Sequence, residues 1–169
     1  IGVRLVGSEM CIRDRKLLRT TKDALYRGIE KAVAGLRIGD IGYAVQSYCE
    51  ANGYSVVREL VGHGVGRDMH EEPQVPNYGR RGQGTKLAEG MVIAIEPMIN
   101  LGKRHVYQDA DGWTIRTRDR MPSAHFEHTV AIGKHGADIL SSFEFVEKNL
   151  EKKSLKGENT SEQFDNQLN

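Results

Sequence analysis

Glu96 closes a strand-forming apolar run in GMVIAIEPMIN (90–100), and Glu127 stands inside a second such run in SAHFEHTVAI (123–132). An isolated carboxylate buried in apolar surroundings is costly or gives up its charge, so each glutamate either faces water at a sheet edge or has a partner. Strand alternation puts His125, Glu127 and Thr129 on one face of the second run, with Phe126, His128 and Val130 on the other. A chain like this must build sheets and must also satisfy two carboxylates within them.

Upstream the period changes. Leu18, Leu25, Ile29, Ala32 and Leu36 recur at helical spacing, which predicts an amphipathic helix over 17–36. Asp40 is expected to cap a second helix whose apolar face is Ile41, Ala44, Val45 and Tyr48, with Asn52-Gly53 as its stop. Beyond Gly53, the segments 54–60, 91–95, 114–117 and 126–132 are short, rich in branched or aromatic residues and punctuated by Gly, Pro and Asp, the pattern of strands. The expected class is α+β, with two N-terminal helices on a mainly antiparallel sheet. The stretch 62–84, rich in Gly, Arg and Pro, is too long for a hairpin loop and is expected to carry function.

The two ends read differently from the middle. LVGSEMCIRDR (5–15) keeps neither a 2.0 nor a 3.6 period and looks like a translated adapter, so residues 1–15 are set apart as a non-native leader. From Glu147 the composition turns polar, and 147–169 is expected to be a disordered tail. The folded unit is then 16–146. With 24 Lys+Arg against 23 Asp+Glu, the net charge of +1 gives no electrostatic case for wrapping nucleic acid or an anionic membrane. No apolar run approaches the roughly 20 residues that span a bilayer. Cys11 and Cys49 form one bridge at most, and the default compartment is a reducing cytoplasm.

The chemistry gathers at GHGVGRDMHEEPQV (62–75), where glycines flank His63 and leave its ring and backbone open to a ligand or metal. Gly62, Gly64 and Gly66 argue for extended or irregular backbone over helix. The segment is not an HExxH zinc motif, because Gln74 stands where the second histidine belongs, and it lacks the GxxxxGK of a phosphate loop. Taken singly, His63 or His70 is compatible with a hydrogen-bonded structural role, and each glutamate with a salt-bridged one. Taken together, His63, Glu96 and Glu127 are imidazole and carboxylate donors of the kind a catalytic divalent cation accepts, whether Mn, Fe, Co or Zn.

In this order, GHGVGRDMHEEPQVPNYG, GMVIAIEPMIN and DGWTIRTRDRMPSAHFEHTVAI resemble the C-terminal half of the type I methionine aminopeptidases, members of the pita-bread metallohydrolase family, over residues 19–141. The resemblance implies an incomplete pita-bread fold with a curved sheet. It implies metal ligation by His63, Glu96 and Glu127, with Glu127 bridging two divalent ions. It makes Glu96 a proton shuttle and puts His70 against the scissile amide and the developing tetrahedral intermediate. Trp113 is similar to the aromatic that borders a methionine pocket, and Met69 stands where many relatives carry Phe in the pocket wall. The implied reaction is removal of the N-terminal methionine from nascent proteins, and the implied partners are such peptides and, transiently, the ribosome. Arg80, Arg81 and Lys86 read more simply as a solvated loop.

The family's site also takes two aspartates from a hairpin upstream of the first helix. Here Asp14 lies in the set-apart leader, so three of five implied ligands are present and the chain as written is expected to be an inactive fragment. An Xaa-Pro peptidase of the same fold shares the His-Gly-x-Gly and Glu-Pro elements, but DGWT and SAHFEHT favour the methionine enzyme. A non-catalytic binding protein on this fold typically loses ligand residues, whereas His63, His70, Glu96 and Glu127 are all retained.

Overall fold

The structure, a computed structural model, describes residues 9–144 together with 146, 148 and 149. The tail expected over 147–169 therefore lies outside the described residues except for Lys148 and Asn149, as do residues 1–8 of the set-apart leader. Helix α1 is Glu9–Ile29 and takes in residues 9–15. Its buried face carries Leu17, Thr21, Ala24 and Leu25, spaced three and four apart, while Leu18 is 46% exposed. Leu25, Ile29 and Ala32 are buried as the sequence predicts, whereas Leu18 and Leu36 are exposed and Leu17 takes the buried place beside Leu18. The helix also ends seven residues earlier than the predicted Leu36, because the chain turns to meet the sheet. Val33 bridges Gly133, and the Ala34 N–H donates to the Gly133 carbonyl at 3.0 Å.

Helix α2 is Ile38–Ala51. Arg37, in extended conformation, precedes it, and Asp40 is the third helical residue rather than the cap. From that place its carboxylate accepts the Arg37 backbone N–H at 2.9 Å and the Gly82 N–H at 2.9 Å, satisfying a helix-end donor from inside the helix. At the other end the predicted stop holds: Asn52 donates its side-chain amide to the Tyr48 carbonyl, and Gly53 takes φ +81°.

Among the described residues, ten strands follow in three antiparallel sheets. They are β1 (Ser55–Val56), β2 (Gly62–Gly64), β3 (Glu71–Val75), β4 (Val92–Ile95), β5 (Met98–Asn100), β6 (Val106–Gln108), β7 (Ile115–Thr117), β8 (Ser123–His125), β9 (His128–Ile132) and β10 (Ala137–Ile139). The larger sheet has the order β10-β9-β4-β2-β3, the second β1-β5-β8, and β6 pairs β7 alone. The stretch expected to be a long functional loop is in part a hairpin, β2 with β3, although its backbone at Gly62–Gly64 is extended as the glycines suggested.

The two glutamate-bearing runs each divide between sheets. Glu96-Pro97 separates β4 from β5, and Phe126-Glu127 separates β8 from β9. Ile95 pairs with His128 on one side of the break, and Met98 pairs with His125 on the other. The two interruptions therefore face each other, closed by the Phe126 N–H on the Pro97 carbonyl at 3.3 Å. The predicted strand over 126–132 starts at His128 for this reason, and His125 belongs to a different sheet from Thr129.

Two cores hold the frame. Leu25, Ile41, Leu87, Ile93, Ile95 and Val130 fill the space beneath the five-stranded sheet. Leu17, Val45, Cys49, Tyr54, Val56 and Ile99 fill that between the helices and the three-stranded sheet. Each large side chain so buried contributes about 1.5–3 kcal/mol of transfer free energy. Cys49 is a free, fully buried thiol. No helix among the described residues is long and apolar enough to cross a membrane.

Candidate metal centre

His63 is placed by two close backbone approaches. A Cβ on Gly62 would come within 2.3 Å of the Ala94 carbonyl oxygen, and one on Gly64 within 2.3 Å of the Glu72 carbonyl oxygen. Only glycine lets β2 lie between β3 and β4 at this separation. The pairing of β2 with β3 shifts register between Gly62 and Gly64, which puts His63 at an irregularity of the strand. Its Nδ1 is 2.9 Å from the Gly64 carbonyl oxygen. A carbonyl only accepts, so Nδ1 carries the proton and Nε2 of the neutral ring keeps its lone pair. That Nε2 faces Glu96 Oε1 at 3.7 Å.

Glu96 is largely buried, its side chain 13% exposed. The Asn77 side-chain amide donates to its backbone carbonyl at 2.9 Å and fixes the break between β4 and β5. Its second oxygen, Oε2, is 3.3 Å from His125 Nε2. This hydrogen bond holds the His125 imidazole above its ordinary pKa, outweighing the opposing effect of partial burial, and the Glu96 and Glu127 charges add to it. Glu127 is exposed at the facing break. Glu96, His125 and Glu127 each offer a donor atom, all within 4.8 Å of one another. Two carboxylates converging with imidazole nitrogen on one point fit a divalent cation.

His70, exposed just ahead of β3, packs its ring on His63 with 4.1 Å between centroids. Both histidines, Glu96 and His125 line a cavity of about 710 Å³ whose apolar wall includes Leu60, Met98 and Trp113. That size suits a small ligand or side chain. Trp113 is 87% exposed at the tip of the β6–β7 hairpin. Asp111 organises that tip by accepting the Trp113 N–H at 2.9 Å, the Thr114 N–H at 2.8 Å and the Thr114 hydroxyl at 2.6 Å. The Thr114 hydroxyl chiefly, and then the backbone donors, hold the Asp111 carboxyl below its ordinary range.

Of the residues singled out in the sequence, His63, His70, Glu96 and Trp113 meet at this cavity, and Glu127 joins Glu96 across the break. Met69 does not: it is 74% exposed and outside the lining. His128 turns away into the core, its Nδ1 3.2 Å from Ser141 Oγ. His125 is the donor that the sequence reading passed over, and the signal was present in its i, i+2 relation to Glu127.

Imidazoles and carboxylates converging at a sheet junction beside an apolar cavity are a donor set that suits a metal-dependent hydrolase. The chain belongs to metallopeptidase family M24, whose sequence model matches residues 4–134. It is 52% identical over 137 residues to methionine aminopeptidase B of Synechocystis sp., a match covering 81% of this chain and 50% of that protein. Among solved structures it resembles methionine aminopeptidase from Rickettsia prowazekii, with a TM-score of 0.74 at 49% identity over 76% of this chain and 52% of that one. Prolidase from Pyrococcus furiosus shares the fold at a TM-score of 0.54 and 28% identity, over 76% of this chain and 32% of that one. The chain spans about half the length of the curated relative it matches. Family and pita-bread fold are as the three motifs implied.

Proposed function

We propose that this site removes N-terminal methionine from peptides, nascent chains among them, by metal-dependent hydrolysis. The observation that carries the proposal is Glu96, held between two imidazoles and beside Glu127 at the wall of an apolar cavity. His63, Glu96 and Glu127 would hold the divalent metal of the site. A bound divalent cation supplies an acidified water and polarises the peptide carbonyl.

The chain's own groups do the rest. Glu96 takes up a proton at a carboxylate oxygen and passes it to the leaving amine. His70, packed against His63 at the cavity edge, donates a hydrogen bond to charge that develops on the scissile group. Met98 and Trp113 give the methionine side chain an apolar, polarisable wall.

The test is a chimera in which residues 17–141 replace the matching half of Synechocystis methionine aminopeptidase B. Cleavage of a Met-Ala-Ser peptide, with an Ala-Pro peptide left intact, is the expected result. The reverse preference would identify a proline-specific peptidase, and metal uptake without cleavage of either would identify a binding protein. The chain alone is expected to leave Met-Ala-Ser intact.

A further inference from the structure

We infer that His125 is itself a metal ligand, supplying an imidazole on the Oε2 side of Glu96 where His63 supplies one on the Oε1 side. The inference rests on the proposed reading of the site as a metal centre and adds to it a donor that His63, Glu96 and Glu127 do not include.

Three observations carry it. First, the His125 Nε2 to Glu96 Oε2 distance is 3.3 Å. Two donor atoms that each sit about 2.0–2.1 Å from one ion stand roughly 3–3.4 Å apart at octahedral or tetrahedral angles. Second, Glu127 brings a donor atom within 4.8 Å of both. A cation bound at that point offsets the repulsion between the two carboxylates. Third, position and access are both provided. His125 ends β8 and pairs with Met98 next to the Glu96-Pro97 break, so the register that faces the two glutamates also delivers this imidazole. Its side chain is 48% exposed and lines the cavity, so an ion arriving from solvent reaches it without rearrangement of the core.

A second imidazole changes what the site prefers. Nitrogen donors favour cobalt, zinc and iron over magnesium and calcium, which keep to oxygen. The alternative role for His125 is to orient Glu96 by hydrogen bonding alone. Glutamine at this position retains an N–H donor for the carboxylate and lacks the imidazole nitrogen, so it separates the two.

Cobalt(II) is titrated calorimetrically into the intact chain and into His125→Ala, His125→Gln and His63→Ala, with circular dichroism to establish that each is folded. X-ray absorption on the cobalt-loaded proteins counts imidazole scatterers. Both His125 variants are expected to lose about tenfold or more in cobalt affinity, with fewer imidazoles per bound cobalt than the parent. Parent-like affinity and imidazole count in His125→Gln, with loss in His63→Ala, would overturn the inference and leave the site reading intact. Failure of the parent to bind cobalt would overturn both.

Discussion

His63 donates its Nδ1 proton to the carbonyl oxygen of Gly64, one residue along, at 2.9 Å. The acceptor is main chain, so this hydrogen bond is set by the backbone of β2. His63→Ala is expected to weaken cobalt binding by at least roughly 10–100-fold. His70→Ala, which removes the ring packed against His63, is expected to leave cobalt affinity within about twofold while lowering turnover of Met-Ala-Ser in the chimera by about 10²-fold. Calorimetry and steady-state kinetics read the two effects apart. Equal loss of metal binding in both variants would remove the separate role given to His70.

Gly62→Ala drives a Cβ to within 2.3 Å of the Ala94 carbonyl oxygen, and neither strand can give way without breaking its ladder. A loss of about 1–3 kcal/mol in urea unfolding is expected, together with weaker metal binding as His63 is displaced. Gly53→Ala is the control. There φ is +81° with no atom within 4 Å of the added Cβ, so the cost is about 1 kcal/mol from the backbone alone and the metal site is untouched. Indistinguishable metal affinities in the two variants would contradict the assignment of Gly62 to the site.

Burial chiefly, with a smaller push from the neighbouring Glu50 charge, raises the Cys49 thiol to about 12. At pH 8 it holds almost no thiolate and is closed to reagent. In a Cys11→Ser background, a thiol-specific disulfide dye is expected to label Cys49 only after urea unfolding. Rapid labelling of the folded chain would show that the core between the helices and the three-stranded sheet opens.

Trp113 is the chain's one tryptophan, so its fluorescence reports on the hairpin tip without interference. The Asp111 carboxyl is depressed, so the ordering it provides is fully present above the ordinary carboxylate range and is lost as pH falls through the lowered value. Thr114→Val removes the largest cause of that shift and is expected to move the acid transition in Trp113 anisotropy upward, toward an unperturbed aspartate. An unmoved transition would show that the backbone donors suffice.

Much of the site was legible in the sequence because charge in an apolar strand is an anomaly with few physical outcomes. Glu96 and Glu127 stood out on that ground alone, and the glycines around His63 announced extended backbone. What alternation could not show is that both runs change sheets at the glutamate. That depends on Ile95 meeting His128 and Met98 meeting His125, pairings between segments about thirty residues apart that no local period encodes. His125 was passed over for the same reason, since its approach to Glu96 exists only once the breaks face each other. Helix limits failed where tertiary contacts overrode propensity: Val33 and Ala34 left α1 to meet Gly133, and Asp40 served the helix end from its third position.

The facing of Glu96-Pro97 against Phe126-Glu127 limits how a gene for this domain can change. Deleting or inserting one codon in either strand turns every later side chain to the opposite face and carries one glutamate out of the site while its counterpart stays. The two acids are thus locked together by register, and variation near them must come by substitution. Length changes are confined to connections that end on the far side of a strand, such as residues 101–122 between β5 and β8, where the β6–β7 hairpin can be lengthened or trimmed without moving either carboxylate.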